Sequence, residues 1–148
     1  MYENFSSFFG YIFNHNKRIM TLSNLIYILL QWISINTNYD TSKFDFPINV
    51  VEPKVIQEMV CGGKCPVIAF FSDEHGIFIS NSDYNDPCNQ SILLHEIIHS
   101  FQSDLKIENA FKEKEAYELQ NKFLEELSIK NDMIDILNIK KCRSKQSN

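Results

Sequence analysis

HEIIH, from His95 to His99, restricts what this chain can fold into more than any other stretch. On a helix, side chains four positions apart share a face, so the imidazoles of His95 and His99 can converge on one metal ion. Glu96 sits one step round the helix, where its carboxylate reaches a water on that metal rather than the metal itself. Two histidine ligands with a neighbouring general base are the parts needed to hold a metal ion and activate a water on it. Five residues alone also arise by chance, so the surroundings decide.

With 148 residues the chain suits one domain with its own core. Its 44% hydrophobic and 13% aromatic content is that of a globular protein and not a disordered one. A formal net charge of -5 argues against a nucleic-acid partner, since phosphate binding needs a basic surface. The apolar stretch from Ile19 to Ile35 is interrupted by Thr21, Ser23, Asn24, Gln31 and Ser34. It falls short of the roughly 18–20 clean residues of a transmembrane helix. Lys17 and Arg18 imitate a signal-peptide start, but no small-residue cleavage site follows. Cytoplasmic is therefore the default compartment, with export as the alternative. The oligomeric state leaves no mark in the sequence.

Four cysteines are present: Cys61, Cys65, Cys88 and Cys142. The spacing of CGGKC suits a Cys61–Cys65 disulfide, a metal hairpin or two thiols. Reduced thiols are expected in the cytosol, and a Cys61–Cys65 bridge if the protein is exported. All four together are also candidates for a second, structural zinc.

Residues 1–19 read as an arm in which Phe5, Phe8, Phe9, Tyr11 and Phe13 follow no firm period. From Leu22 the spacing of Leu25, Ile26, Leu29 and Ile33 predicts a helix with Trp32 beside the stripe, capped by Thr21 or Ser23. A polar turn-prone run, NTNYDTSK, ends it. A short strand over Pro47–Val51 follows, then a helix opening at Pro53 and stopped by CGG. PVIAFFSDEHGIFIS predicts a hairpin: Val67, Ile68, Phe70 and Phe71 on one strand, Ile77, Phe78 and Ile79 on the other, and DEHG at the turn. Ser91 or Asn89 is the expected cap of the HEIIH helix, which runs to about Ser103. A long helix covers Asn109–Ile129, a short one 131–139, and KKCRSKQSN leaves a basic tail at 141–148. The domain proper is 20–140.

A catalytic zinc takes three protein ligands and a water. The third belongs to the acidic helix FKEKEAYELQNKFLEEL. At about 100° per residue, Glu113 shares a stripe with Ala116, Tyr117, Gln120, Phe123, Leu124 and Leu127, the face expected to be buried. A carboxylate there is costly unless it meets a cation. Glu113 is thus the expected ligand and Glu115, roughly 120° from the stripe centre, the runner-up. Ordinary readings compete: a buried, satisfied histidine pair for HEIIH, and a pairing with lysine for Glu113, flanked by Lys112 and Lys114. His75 is expected to be a turn residue, and His15 has no assigned role.

These residues resemble the zincin metallopeptidases, specifically the gluzincin branch, in which HExxH is followed by a glutamate ligand on a later helix within ExxA plus a small polar residue. EKEAY, Glu113 to Tyr117, fits this pattern except in the last place, where tyrosine replaces the small polar residue. WI in the first helix, CPV before the hairpin, LLHEIIHSFQ and EKEAYELQNKFL resemble more closely a small bacterial family of suspected metallopeptidases of unknown function, over about residues 22–128. The resemblance implies one zinc per chain on His95, His99 and Glu113, with Glu96 as general base. It implies a hydrogen-bond donor for the developing oxyanion, for which Tyr117, Tyr84 and His75 are candidates. Gln102 and Gln120 would orient the ligands from behind.

The expectation is a small α+β, zincin-like domain: an antiparallel or mixed sheet with a backing helix, an active-site helix and a glutamate helix. It would hydrolyse peptide bonds in an extended peptide or protein aligned along the hairpin, whose second strand would line the cleft. Two alternatives stand beside it. One is a non-catalytic zinc-binding or interaction module of the same fold; the other is a metal-free helical adaptor docking through the arm and the acidic helix.

Overall fold

The computed structural model describes residues 19–146. The aromatic arm and His15 lie outside the described residues. Five α-helices and one three-stranded mixed sheet make up the described part, an α+β arrangement. Among these residues no helix is long and apolar enough to cross a membrane.

Helix α1, Leu22–Asn36, opens where Thr21 accepts from the Asn24 N–H. It buries Leu25, Ile28, Leu29, Trp32 and Ile33, a one-sided stripe of helical period. Trp32 lies inside the stripe, edge-on to Phe123, and its indole N–H donates to Glu126 at 2.7 Å, which satisfies the one polar atom it carries inward. Strand β1, Ile48–Val51, is followed by helix α2, Pro53–Cys61, with proline in its first turn. Gly62, at φ 71°, supplies the left-handed residue that ends α2.

The hairpin joins β2, Ala69–Ser72, to β3, Gly76–Ser80. A Cβ at Gly76 would strike the carbonyl and ring of Pro47, so only glycine lets the chain pass there. Val67 and Ile68 precede the ladder, although the Ser80 N–H still reaches the Ile68 carbonyl at 2.8 Å. β3 is central, parallel to β1 and antiparallel to β2. That leaves β2 as a sheet edge. Ala69, Ile77 and Ile79 join Leu93, Leu94, Ile97 and Ile98 in the main core.

Helix α3, Pro87–Gln102, carries HEIIH, and helix α4, Asn109–Lys130, packs along it. The cap of α3 is Asp86, which accepts from the Cys88 N–H at 2.8 Å, and not Ser91 or Asn89. Asp86 precedes a proline that costs nothing at a helix start, so the helix begins earlier than expected, and Ser91 becomes an interior, buried residue. The short helix expected at 131–139 is displaced to α5, Ile139–Gln146; Ser128 instead holds the intervening turn, accepting from the Leu137 N–H.

All four cysteines are oxidised, as Cys61–Cys65 and Cys88–Cys142. Reduced thiols and a cysteine-bound structural zinc are both overturned. The second bridge was not foreseen. It ties α5 to the first turn of α3 inside a small cluster with Leu124 and Leu137.

Candidate metal site

His95 and His99 leave α3 on the side that faces α4, where Glu113 projects from the second turn. The distances are 2.9 Å between the two Nε2 atoms, 3.0 Å from His99 Nε2 to Glu113 Oε1 and 3.4 Å from His95 Nε2 to Glu113 Oε2. His95 is 7% exposed, whereas the Glu113 side chain is 50% exposed. The expectation that Glu113 is buried is therefore corrected. Its stripe does bury Ala116, Gln120, Phe123, Leu124 and Leu127, but the stripe leaves the core at its N-terminal end. Glu113 sits on the rim there with its carboxylate turned in to the imidazoles.

The protons at this cluster follow from what stands behind it. The Ser91 hydroxyl donates to the Cys88 carbonyl at 2.8 Å, so its oxygen is left to accept from Gln120 Nε2 at 3.1 Å. Gln120 Oε1 must then face His95 Nδ1, 3.0 Å away, which carries the ring proton. On the other side, Gln102 Nε2 donates to Glu115 at 2.7 Å and to the Lys112 carbonyl at 3.1 Å. Its Oε1 consequently accepts from His99 Nδ1 at 2.8 Å. Tyr39 closes the chain by donating to Glu115 at 2.6 Å. In the neutral rings this arrangement leaves both Nε2 atoms bare and aimed at a carboxylate. Three lone-pair-bearing groups facing one point repel unless a cation lies among them.

Zinc suits this donor set. Two imidazole nitrogens and a carboxylate oxygen are typical catalytic zinc ligands. Donors at zinc bond lengths would stand about 3.4 Å apart along a tetrahedral edge, close to the spacings found. Among the described residues this is the one group of three or more His, Cys, Asp or Glu side chains drawn together in this way. Glu115 does not join it, because Tyr39 and Gln102 already hold its carboxylate. Tyr39 was missed in the sequence, being 76 residues distant from Glu115. Its phenol is pushed well above its ordinary pKa by burial, then by Glu115, and stays a donor.

Electrostatics keep the cluster ready. Burial, followed by the neighbouring His99, lowers His95 to about 4, so the ring is neutral near pH 7. Burial raises Glu96 to about 8; the Phe71 backbone N–H opposes this and the Glu113 charge adds to it. In metal-free protein the two groups act on stability in opposite directions. From about 4 to 6.5 the unfolded chain binds the His95 proton that the fold rejects, so stability rises with pH. From about 4.5 to 8 the fold keeps a Glu96 proton that the unfolded chain releases, so stability falls. Only the second operates between 6.5 and 8. Chelator-treated protein should thus lose stability over that interval, by up to about 1.4 kcal/mol per pH unit, and Glu96→Gln should flatten the slope. Denaturant midpoints at several pH values measure it, and a flat wild-type profile would contradict it.

A cleft of about 460 Å³ opens over the cluster, walled by residues 67–71 on one side and by Tyr117, Ile139 and Arg143 on the other. The hairpin's first strand lines it, correcting the expectation for the second, because β3 is enclosed between its two neighbours. The Tyr117 ring stands 4.6 Å from the His95 ring. Tyr84 and His75 are not among the cleft walls. Tyr84 packs against the main core, and His75 lies in the exposed hairpin turn beside Glu74 at 3.7 Å. Arg143, expected in a basic tail, lies instead at the cleft, where the Cys88–Cys142 bridge, invisible in the spacing, and its own bond to Tyr117 help to hold it.

Residues 19–147 match the profile of a family described as a domain of unknown function (DUF6647). Neither the curated proteins nor the solved structures contain a significant match.

Proposed function

We propose that this chain, which belongs to the DUF6647 family, is a zinc-dependent peptidase with a zincin-like fold of the gluzincin type. The observation that carries the reading is the pair of glutamine oxygens that hold Nδ1 of both histidines from behind, so that the two Nε2 atoms and Glu113 meet at one point. His95, His99 and Glu113 would hold one zinc per chain. Bound there, zinc supplies a Lewis acid and an acidified water.

The remaining steps belong to the chain's own groups. Glu96 is half-buried, lines the cleft beside the three ligands and stands outside their group, so its carboxylate would take a proton from the attacking water. As the water oxygen bonds to the peptide carbonyl carbon and the C–N bond breaks, Glu96 returns that proton to the departing amine. With a cation held by those three residues, the Glu96 carboxyl would be drawn below its metal-free value, toward the ionised form that a base requires. Among the described residues the outer edge of β2 pairs with no further strand, and its backbone donors and acceptors would receive an extended peptide with a carbonyl beside the cluster.

The test is metal content by elemental mass spectrometry after zinc loading and desalting. Wild type should retain about one zinc per chain, and His95→Ala and Glu113→Ala should lose it. Gln120→Leu, which frees the His95 tautomer, should weaken affinity about 10–100-fold. Zinc retained by both ligand variants, or none in wild type, would reject the site.

A further inference from the structure

We infer that Arg143, held by Tyr117, receives the free C-terminal carboxylate of a peptide lying across the His95–His99–Glu113 cluster, which makes the protein a carboxypeptidase removing one or two terminal residues. This rests on the peptidase reading above and narrows its substrate class.

The cleft walls carry three groups of fixed or readily held charge besides the histidines: Glu96, Glu113 and Arg143. The two carboxylates are engaged at the cluster. Arg143 is then the single permanent cation facing the cleft, and among the described residues it pairs with no carboxylate. Its Nη2 donates to the Tyr117 hydroxyl oxygen at 3.2 Å, and its guanidinium carbon stands 5.6 Å from the centre of that ring. The phenol oxygen is thereby used as an acceptor, which leaves the Tyr117 O–H proton free to donate. A guanidinium fork with a hydroxyl donor beside it is a suitable receiver for a planar carboxylate.

Distance favours a chain end. His95 to the Tyr117 ring is 4.6 Å and the ring to Arg143 is 5.6 Å, so Arg143 lies within about 10 Å of the metal ligands. A peptide residue spans at most about 3.6 Å. The gap therefore takes one or two residues between the scissile carbonyl and the carboxylate. The placement is also anchored: Cys142, directly before Arg143, is bridged to Cys88 at the base of the active-site helix. An internal stretch of peptide would instead leave the guanidinium facing neutral backbone.

The full-length zinc-loaded protein is tested in two ways. Hydrolysis compares one peptide as its C-terminal acid and as its amide, with products identified by mass. The acid should lose one or two terminal residues, and the amide should be cut about 10–100-fold more slowly, the worth of a charge-assisted pair. Arg143→Met should raise KM for the acid by a similar factor with kcat little changed, and Arg143→Lys should recover part of it. Binding is read separately, without turnover, on Glu96→Gln protein. The chain has two arginines, Arg18 and Arg143, so Arg143→Met identifies the Arg143 side-chain NMR resonance. That resonance should shift with the acid peptide and not with the amide. Equal cleavage of acid and amide, with Arg143→Met silent, would overturn the carboxylate site and leave an endopeptidase. An unshifted arginine resonance at saturating acid peptide would also overturn it, whether or not hydrolysis occurs. Loss of zinc in His95→Ala is scored apart from all of these.

Discussion

Glu96→Gln should abolish most peptide hydrolysis, by about 10²–10⁴-fold, and leave zinc content at the wild-type level. The two halves of this result have separate causes. Glutamine has nearly the same shape and can still accept from the Phe71 N–H that faces the carboxylate. It cannot take a proton from water. Because Glu96 stands outside the His95–His99–Glu113 group, the ligand set is untouched. Activity is read as kcat/KM on a cleaved peptide, and zinc by elemental analysis on the same preparation. Undiminished hydrolysis would remove Glu96 from the mechanism. Loss of zinc would make Glu96 a ligand and overturn the assignment of Glu113. A wild type that binds zinc yet cleaves no peptide in a broad library would favour the non-catalytic module, the alternative kept open by the sequence.

The parts legible in the sequence are those written in local spacing. Leu25, Leu29 and Ile33 mark α1, DEHG marks the hairpin turn, and the four-residue step of His95 and His99 needs only one helix. Glu113 was reachable because its phase on α4 is set by Ala116, Gln120 and Phe123. Its exposure was not, since phase says nothing about where α4 outruns its neighbour. Interactions between distant residues left no such trace. Tyr39 and Glu115 meet across 76 positions, and Ser91 looked like a cap until Asp86 took that role. Arg143 reads as solvated tail charge for the same reason: its contact with Tyr117 and the bridge of its neighbour Cys142 to Cys88 span 26 and 54 positions.

Removing that disulfide should produce the largest loss of stability of any covalent change in the chain. Cys88→Ala with Cys142→Ala opens a loop of 54 residues. In the chain-entropy model this costs about 4 kcal/mol, against about 2 kcal/mol for the four-residue Cys61–Cys65 loop. A domain of this size is stable by roughly 5–15 kcal/mol in all, so the first change consumes a large share of the total and the second a small one. The order also follows from surroundings: Cys88 and Cys142 are both 4% exposed and packed with Leu124 and Leu137, so their loss disturbs a cluster as well as a tether. Urea unfolding of the two double variants, at one pH and with zinc loaded, measures the difference. Because the proposed ligands His95, His99 and Glu113 sit on α3 and α4, zinc should still bind when α5 is released, while amide exchange in residues 139–146 rises first. Equal destabilisation by the two pairs, or a change below about 1 kcal/mol for Cys88 and Cys142, would mean that α5 is held by its side chains and not by its bridge.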